Sequence, residues 1–170
     1  SFAMIHKKTL LVEADIRRGS LRSGRAKGLS DVLLRGASVA EALFSNHECL
    51  DVLGAGMRCP NPGDLLSSDV FVSLVKELRT KYDIIIIDTP PVAQCSDALL
   101  IEHCVDFSLC VLKYATHREE DVQDLLSSLD RAVSVPLPKA FALNMYEHEG
   151  SGYGYYHRYG YGYGSRDKDN

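Results

Sequence analysis

The sequence predicts an α/β domain with a mostly parallel sheet flanked by helices. Three observations carry that prediction. Residues 82–91 contain four consecutive isoleucines, Ile84 to Ile87, without alternation, the pattern of a central strand covered on both faces. A second apolar run, Thr9-Leu10-Leu11-Val12, ends in acids just as the first ends at Asp88. Between and after these runs, strand-like segments alternate with amphipathic helical ones.

Taken in order, residues 9–15 form the first predicted strand, closing on Glu13 and Asp15, with Ile16-Arg17-Arg18-Gly19 as a basic turn behind it. Residues 29–34 form a short helix stopped by Gly36. Ser38 and Glu41 have capping-box spacing and open another helix that runs through Phe44. Leu50 to Leu53 read as a short strand running into Gly54 and Gly56. Cys59-Pro60-Asn61-Pro62-Gly63 is a rigid turn by composition. Residues 64–81 then form one helix with Leu74, Val75 and Leu78 on one face, leading straight into the isoleucine strand. After Pro90 and Pro91, Ser96 and Asp97 cap a helix through Cys104. Residues 107–113 form a strand, and residues 118–133 an amphipathic helix with Val122, Leu125, Leu126, Leu129 and Val133 together. Pro136 and Pro138 end that helix, and the last strand, 139–144, closes on Asn144. From Gly150 aliphatic side chains vanish, and Tyr153, Tyr155, Tyr156, Tyr159, Tyr161 and Tyr163 stand among glycines. The expected organisation is a folded domain over 1–149 and a flexible tyrosine-rich tail over 150–170.

Composition narrows the function. A chain of 170 residues can bury one core. Its net charge of −4 leaves no basic excess for general nucleic-acid binding. The cysteines at 49, 59, 95, 104 and 110 are odd in number and lack Cys-x-x-Cys spacing, which reads as reduced thiols in a cytosolic protein. No apolar run is long enough for a membrane span, and no charged-then-apolar leader is seen.

The chemistry is expected where the strands end, because open α/β sheets bind ligands at their carboxyl edge. If the two acid-tipped strands are neighbours, Glu13, Asp15 and Asp88 meet around one point. Three carboxylates there repel one another unless a cation joins them. Mg²⁺ suits the position, since it takes a few carboxylates, directly or through water, together with substrate phosphates. Arg17 is then placed to answer phosphate charge. Taken individually, each acid is more often a cap or a solvated side chain than a ligand.

Leu10-Leu11-Val12-Glu13-Ala14-Asp15-Ile16-Arg17 resembles the Walker A′ motif of the bacterial tyrosine autokinases, and Ile85-Ile86-Ile87-Asp88-Thr89-Pro90-Pro91 resembles their Walker B motif. Gly28-Leu29-Ser30-Asp31-Val32-Leu33, Pro60-Asn61-Pro62-Gly63-Asp64-Leu65-Leu66 and the tyrosine cluster are also similar to that family. Walker B alone is shared with partition and septum-placement ATPases; the terminal tyrosines are more specific. The resemblance implies a P-loop NTPase-like fold and an ATP- and Mg²⁺-dependent kinase that phosphorylates its own tail in exopolysaccharide or capsule synthesis. It implies Asp15 and Asp88 as magnesium positions, and Glu13, where the family usually has Asp, as the acid that activates the attacking phenol. Ser1 would then follow the phosphate-binding lysine, Asn144 would contact adenine, and the six tail tyrosines would accept phosphate. Implied partners are further copies of the chain in a homo-oligomer, a membrane polysaccharide co-polymerase segment or adaptor at the cytoplasmic face of the inner membrane, and a cognate tyrosine phosphatase, with no nucleic acid.

One departure stands out. The family needs a first strand and a Gly-x-x-x-x-Gly-Lys-Ser/Thr loop to cradle phosphates, and the 170 residues hold neither. The sequence as written is therefore expected to bind ATP poorly and to show little kinase activity by itself. The alternatives are an inactive scaffold or phospho-acceptor of the same family, and a partition-type ATPase.

Overall fold

In the computed structural model, residues 2–17 and 27–146 are described. Ser1 and all six tail tyrosines lie outside them. After a 3-10 turn at Phe2–Ile5, the chain forms β1 (Thr9–Glu13), α1 (Leu29–Leu33), α2 (Val39–Ala42), β2 (Leu43–His47) and β3 (Leu50–Leu53). It continues through α3 (Pro62–Leu66), α4 (Asp69–Arg79), β4 (Ile84–Asp88), α5 (Asp97–Ile101), β5 (Ser108–Lys113), α6 (Glu119–Arg131) and β6 (Lys139–Asn144), with a 3-10 turn at Glu102–Cys104. Strands and helices alternate as the sequence predicts, except at β2 and β3, which follow one another directly.

Four strands form one sheet in the order β2-β3-β1-β4, and β5 and β6 form a second, parallel pair. Both β3 and β4 run parallel to β1, with Thr9 opposite Leu50 on one side and Ile84 on the other. The central strand is thus β1, whose Thr9, Leu10, Val12 and Glu13 are all buried. This corrects the expectation for the isoleucine run. Among the described residues β4 pairs only with β1, so it stands at the edge of its sheet, and Ile86 is 42% exposed. An uninterrupted apolar run carries no information about which edges of a strand are paired.

Two further boundaries differ from the sequence reading. The capping box at Ser38 forms, with the Glu41 amide donating to Ser38 Oγ and the Ser38 amide donating to Glu41 Oε2. Yet α2 ends at Ala42, and Leu43 and Phe44 enter β2, opposite Leu53 and Val52 in an antiparallel ladder. Pairing along β3 outweighs the local helical signal there. The predicted helix over 64–81 is two helices. Ser68 interrupts it: its hydroxyl donates to Leu65 O at 2.7 Å and accepts from the Phe71 amide, so it closes α3 and caps α4. Pro62 sits in the first turn of α3, where a missing N–H costs nothing.

The core lies between β1 and the helices on its faces: Leu10 and Val12 pack with Leu29, Leu33, Leu53, Leu66, Phe71, Leu74 and Leu78. Each such side chain contributes about 1.5–3 kcal/mol through burial. At the opposite end from the acids, Tyr82 donates its hydroxyl to Asp51 Oδ2 at 2.7 Å while Lys8 lies over its ring. That contact pins the starts of β3 and β4 together. Arg79, at the end of α4, reaches both Cys104 O and the Asp106 carboxylate and so ties the entry of β5 to the helix that feeds β4. The five cysteines form no disulfide.

Candidate functional site

The register of β1 and β4 decides where the acids go. Glu13 faces Asp88 as the last pair of the parallel ladder, and the Ala14 amide extends it by donating to Asp88 O at 2.7 Å. Asp15 follows two residues after Glu13, half-buried. The carboxyl edge of the sheet thus gathers Glu13, Asp15 and Asp88, as the matched strand endings predict.

These acids are in different states. Glu13 is only 3% exposed, and its Oε2 accepts from the Ala55 amide at 3.1 Å. Asp88 stands at the exposed strand tip, but the side turned toward the protein loses water. That desolvation, with the negative charges of Glu13 and Asp15 added, holds its carboxyl above the usual carboxylate range. The folded chain therefore carries a charge on Asp88 at a cost. Among the described residues the acids do not form a ready cage of three metal ligands; a cation at this edge would keep water or take ligands from a substrate.

Arg17 is engaged by a partner the sequence reading missed. Its Nε and Nη2 donate to the two carboxylate oxygens of Asp97 at 2.8 and 2.9 Å. Asp97, at the first position of α5, is 2% exposed. The Asp97 bonds are the main reason the guanidinium is raised above its ordinary pKa, against the opposing effect of desolvation. The pair ties the end of β1 to α5 across 80 residues of sequence, and no local signal marks it. Thermal unfolding of Arg17→Ala is expected at a lower midpoint than that of the unaltered chain, because Asp97 would keep a buried charge without this partner. Arg17→Lys should recover only part of the loss, since an ammonium cannot reproduce the two-pronged contact.

Asn144 closes β6 at the exposed end of the second sheet. Its Oδ1 accepts from the Met145 amide at 2.8 Å and its main-chain oxygen from the Tyr114 amide at 2.9 Å, so its amide oxygen is used in a local turn. An open groove of about 600 Å³ runs between α3, α5 and α6, lined by Ser67, Ser96, Leu99, His103, Ser128 and Arg131 among others; none of the three acids lines it.

No family model matches the sequence. Individual relatives do. The chain is 36% identical over 124 residues to the tyrosine-protein kinase YwqD of Bacillus subtilis, a match spanning 70% of this chain and 52% of that protein. It is 32% identical over 131 residues to the tyrosine-protein kinase Wzc of Salmonella typhi, across 74% of this chain and 18% of that one. The crystal structure of the VpsO kinase domain superposes with a TM-score of 0.78 at 29% identity, covering 85% of this chain and 73% of that domain. In sequence and in fold the chain is similar to the bacterial tyrosine-protein kinases. Its fold is the P-loop NTPase-like α/β fold of those kinase domains, and it spans about half of YwqD and under a fifth of Wzc.

Proposed function

We propose that the chain is the larger part of a protein-tyrosine autokinase domain that moves the γ-phosphate of ATP onto tyrosines of its own tail. The observation that carries this reading is the Glu13–Asp88 pair at the end of adjacent parallel strands, with the Asp88 carboxyl raised above the usual carboxylate range by desolvation and by the charges of Glu13 and Asp15. A carboxylate destabilised by burial and by like charges is suited to a divalent cation, which removes the repulsion. Asp88 and Asp15 would hold Mg²⁺, directly or through water, and a bound Mg²⁺ supplies positive charge to phosphate oxygens as the transfer proceeds.

The remaining work falls to the chain. Glu13, at the floor of the site, accepts the proton of the incoming phenol as the tyrosine oxygen bonds to phosphorus and the bond from phosphorus to the ADP oxygen breaks. The Arg17 pair with Asp97 occupies only part of the guanidinium's donor fork, which leaves Arg17 a means of meeting phosphate charge. Asn144 contacts adenine from the end of β6. Ser1 follows the phosphate-binding loop. In the longer protein, that loop ends a strand that completes the sheet beside β4. Support for this comes from β4 and β5, each of which has one ladder partner among the described residues, and from the greater length of the VpsO domain.

Tyr153, Tyr155, Tyr156, Tyr159, Tyr161 and Tyr163 are the acceptors, each phosphate adding about −1.5 to −2 of charge to the tail. Charging the tail would loosen tail-to-site contacts between copies in a homo-oligomer, and the phosphatase that removes the charge would restore them. No helix among the described residues is long and apolar enough to cross a membrane. Attachment to the cytoplasmic face of the inner membrane therefore falls, in this reading, to a co-polymerase segment or adaptor, with exopolysaccharide or capsule assembly as the regulated process.

The test is tail phosphorylation by the full-length protein given ATP and Mg²⁺, mapped by mass spectrometry. Phosphate on the six tail tyrosines, absent without Mg²⁺, is the expected result. ATP hydrolysis that survives removal of residues 151–170, with no phosphotyrosine formed, would replace the reading with a partition-type ATPase.

A further inference from the structure

The loop after β3 is fastened to the start of α1 by a compact set of bonds that no catalytic role explains. Leu29 N donates to Gly54 O at 2.7 Å and Ser30 N to Ala55 O at 3.0 Å. The Ser30 hydroxyl, fully buried, donates to Met57 O at 2.6 Å. Asp31 Oδ2 accepts from two amides, Gly28 at 2.9 Å and Met57 at 3.1 Å. Gly56 sits in the left-handed region at φ +81°, and a Cβ there would fall 2.5 Å from Asp31 Oδ2 and 2.7 Å from Ser30 Oγ. Loop and helix start are thus fitted to each other atom by atom. Within the fastened loop lies Ala55, whose amide donates to Glu13 Oε2.

We propose that Ser30 and Asp31 are positioning residues for the Glu13 carboxylate, acting through the loop 54–57. A carboxylate on two rotatable carbons keeps one orientation only if its partner is itself fixed. The Ala55 amide belongs to a loop, which without the Ser30 and Asp31 bonds would have one wall of its support removed. Ser30 holds the carbonyl of Met57 and Asp31 holds its amide, so the residue two past Ala55 is gripped on both polar groups. The inference deepens the kinase reading, in which the Glu13 oxygens must meet a phenol proton within hydrogen-bond reach. Glu13 is one methylene longer than the aspartate that the resemblance leads one to expect, and the longer arm has more need of a fixed partner.

The experiment uses the full-length protein, labelled for amide exchange, as Ser30→Ala and separately as Asp31→Asn. Exchange of the Ala55 amide is expected to quicken about tenfold, while amides of Leu10 to Val12 in β1 keep their rates. In the phosphorylation assay kcat should fall about tenfold with KM for Mg-ATP within about twofold, the mark of a group misplaced in the transition state rather than lost binding. Ser30→Thr, which keeps the hydroxyl, should restore both. An unchanged Ala55 rate overturns the inference, as does a general quickening that includes β1. If Ser30→Ala fails to fold, Asp31→Asn decides. Should the unaltered protein phosphorylate nothing, the kinase reading falls while the Ala55 exchange still settles the clasp.

Discussion

Asp88→Asn is expected to make the cation-free protein more stable and the phosphorylation reaction at least about a hundredfold slower. The two effects have one cause. Desolvation, and then the charges of Glu13 and Asp15, raise the Asp88 carboxyl above its ordinary value. Between the unfolded carboxylate value, about 3.9, and the raised folded one, the folded chain binds more protons than the unfolded chain. Stability from this group is therefore fully present below the unfolded value and is lost as pH rises through the folded one. At neutral pH the folded chain carries the charge at a cost, and an uncharged amide of the same shape removes it. The gain should be on the order of 1 kcal/mol or less, as for partly solvated like charges. Urea unfolding at pH 7, with and without Mg²⁺, checks it. The unaltered protein should gain from the cation and the variant should not, and the variant's stability should fall less steeply over the acid-to-neutral range. A variant less stable than its parent without Mg²⁺ would show that Asp88 holds the fold rather than a ligand. Trading stability for a charge in the right place is common where a site has been selected for function.

Much of this site can be read from the sequence because it is written in strand endings. An apolar run that stops on an acid specifies both a strand and the side chain at its tip, and two such runs in parallel bring their tips together; the Glu13–Asp88 pair follows. β6 is legible to the residue, since proline precedes it and its apolar run is uninterrupted. What the sequence does not disclose depends on contacts between distant segments. β2 forms because β3 offers it a ladder, against a capping box that argues for more helix. Arg17 meets Asp97 across the sheet's end, and neither residue carries a mark of the other. The Ala55 amide is invisible to any reading by residue type, because its contribution is a main-chain N–H. A faint signal does exist for the clasp: three glycines, Gly28, Gly54 and Gly56, each beside a predicted strand end or helix start, mark a place where backbones approach closely.

Gly28→Ala tests that approach most severely. Gly28 lies at the start of α1 with φ −157°, extended backbone open to any residue, so the demand for glycine is one of space and not of conformation. A Cβ there would lie 2.3 Å from Gly54 O, 2.3 Å from Gly56 N and 2.5 Å from Gly56 Cα. All three are main-chain atoms, and no side chain can swing aside to make room. The methyl group has to push α1 away from the loop 54–57, stretching the bonds from Leu29 to Gly54 and from Ser30 to Ala55. Both segments border the core through Leu29 and Leu53, so the displacement opens packed surface as well. Overpacking of this kind typically costs about 1–3 kcal/mol and more when backbone must move; about 3 kcal/mol is expected here, read as a lowered urea midpoint with an unchanged slope. Gly36→Ala is the control. Its Cβ would meet only Asp31 O, at an ordinary 3.5 Å, and the change should be nearly neutral. Equal losses at the two positions would mean that loss of glycine as such, and not the contact with the loop, sets the cost. A large loss at Gly28 alone would place the joint between α1 and the loop among the contacts on which the whole fold depends.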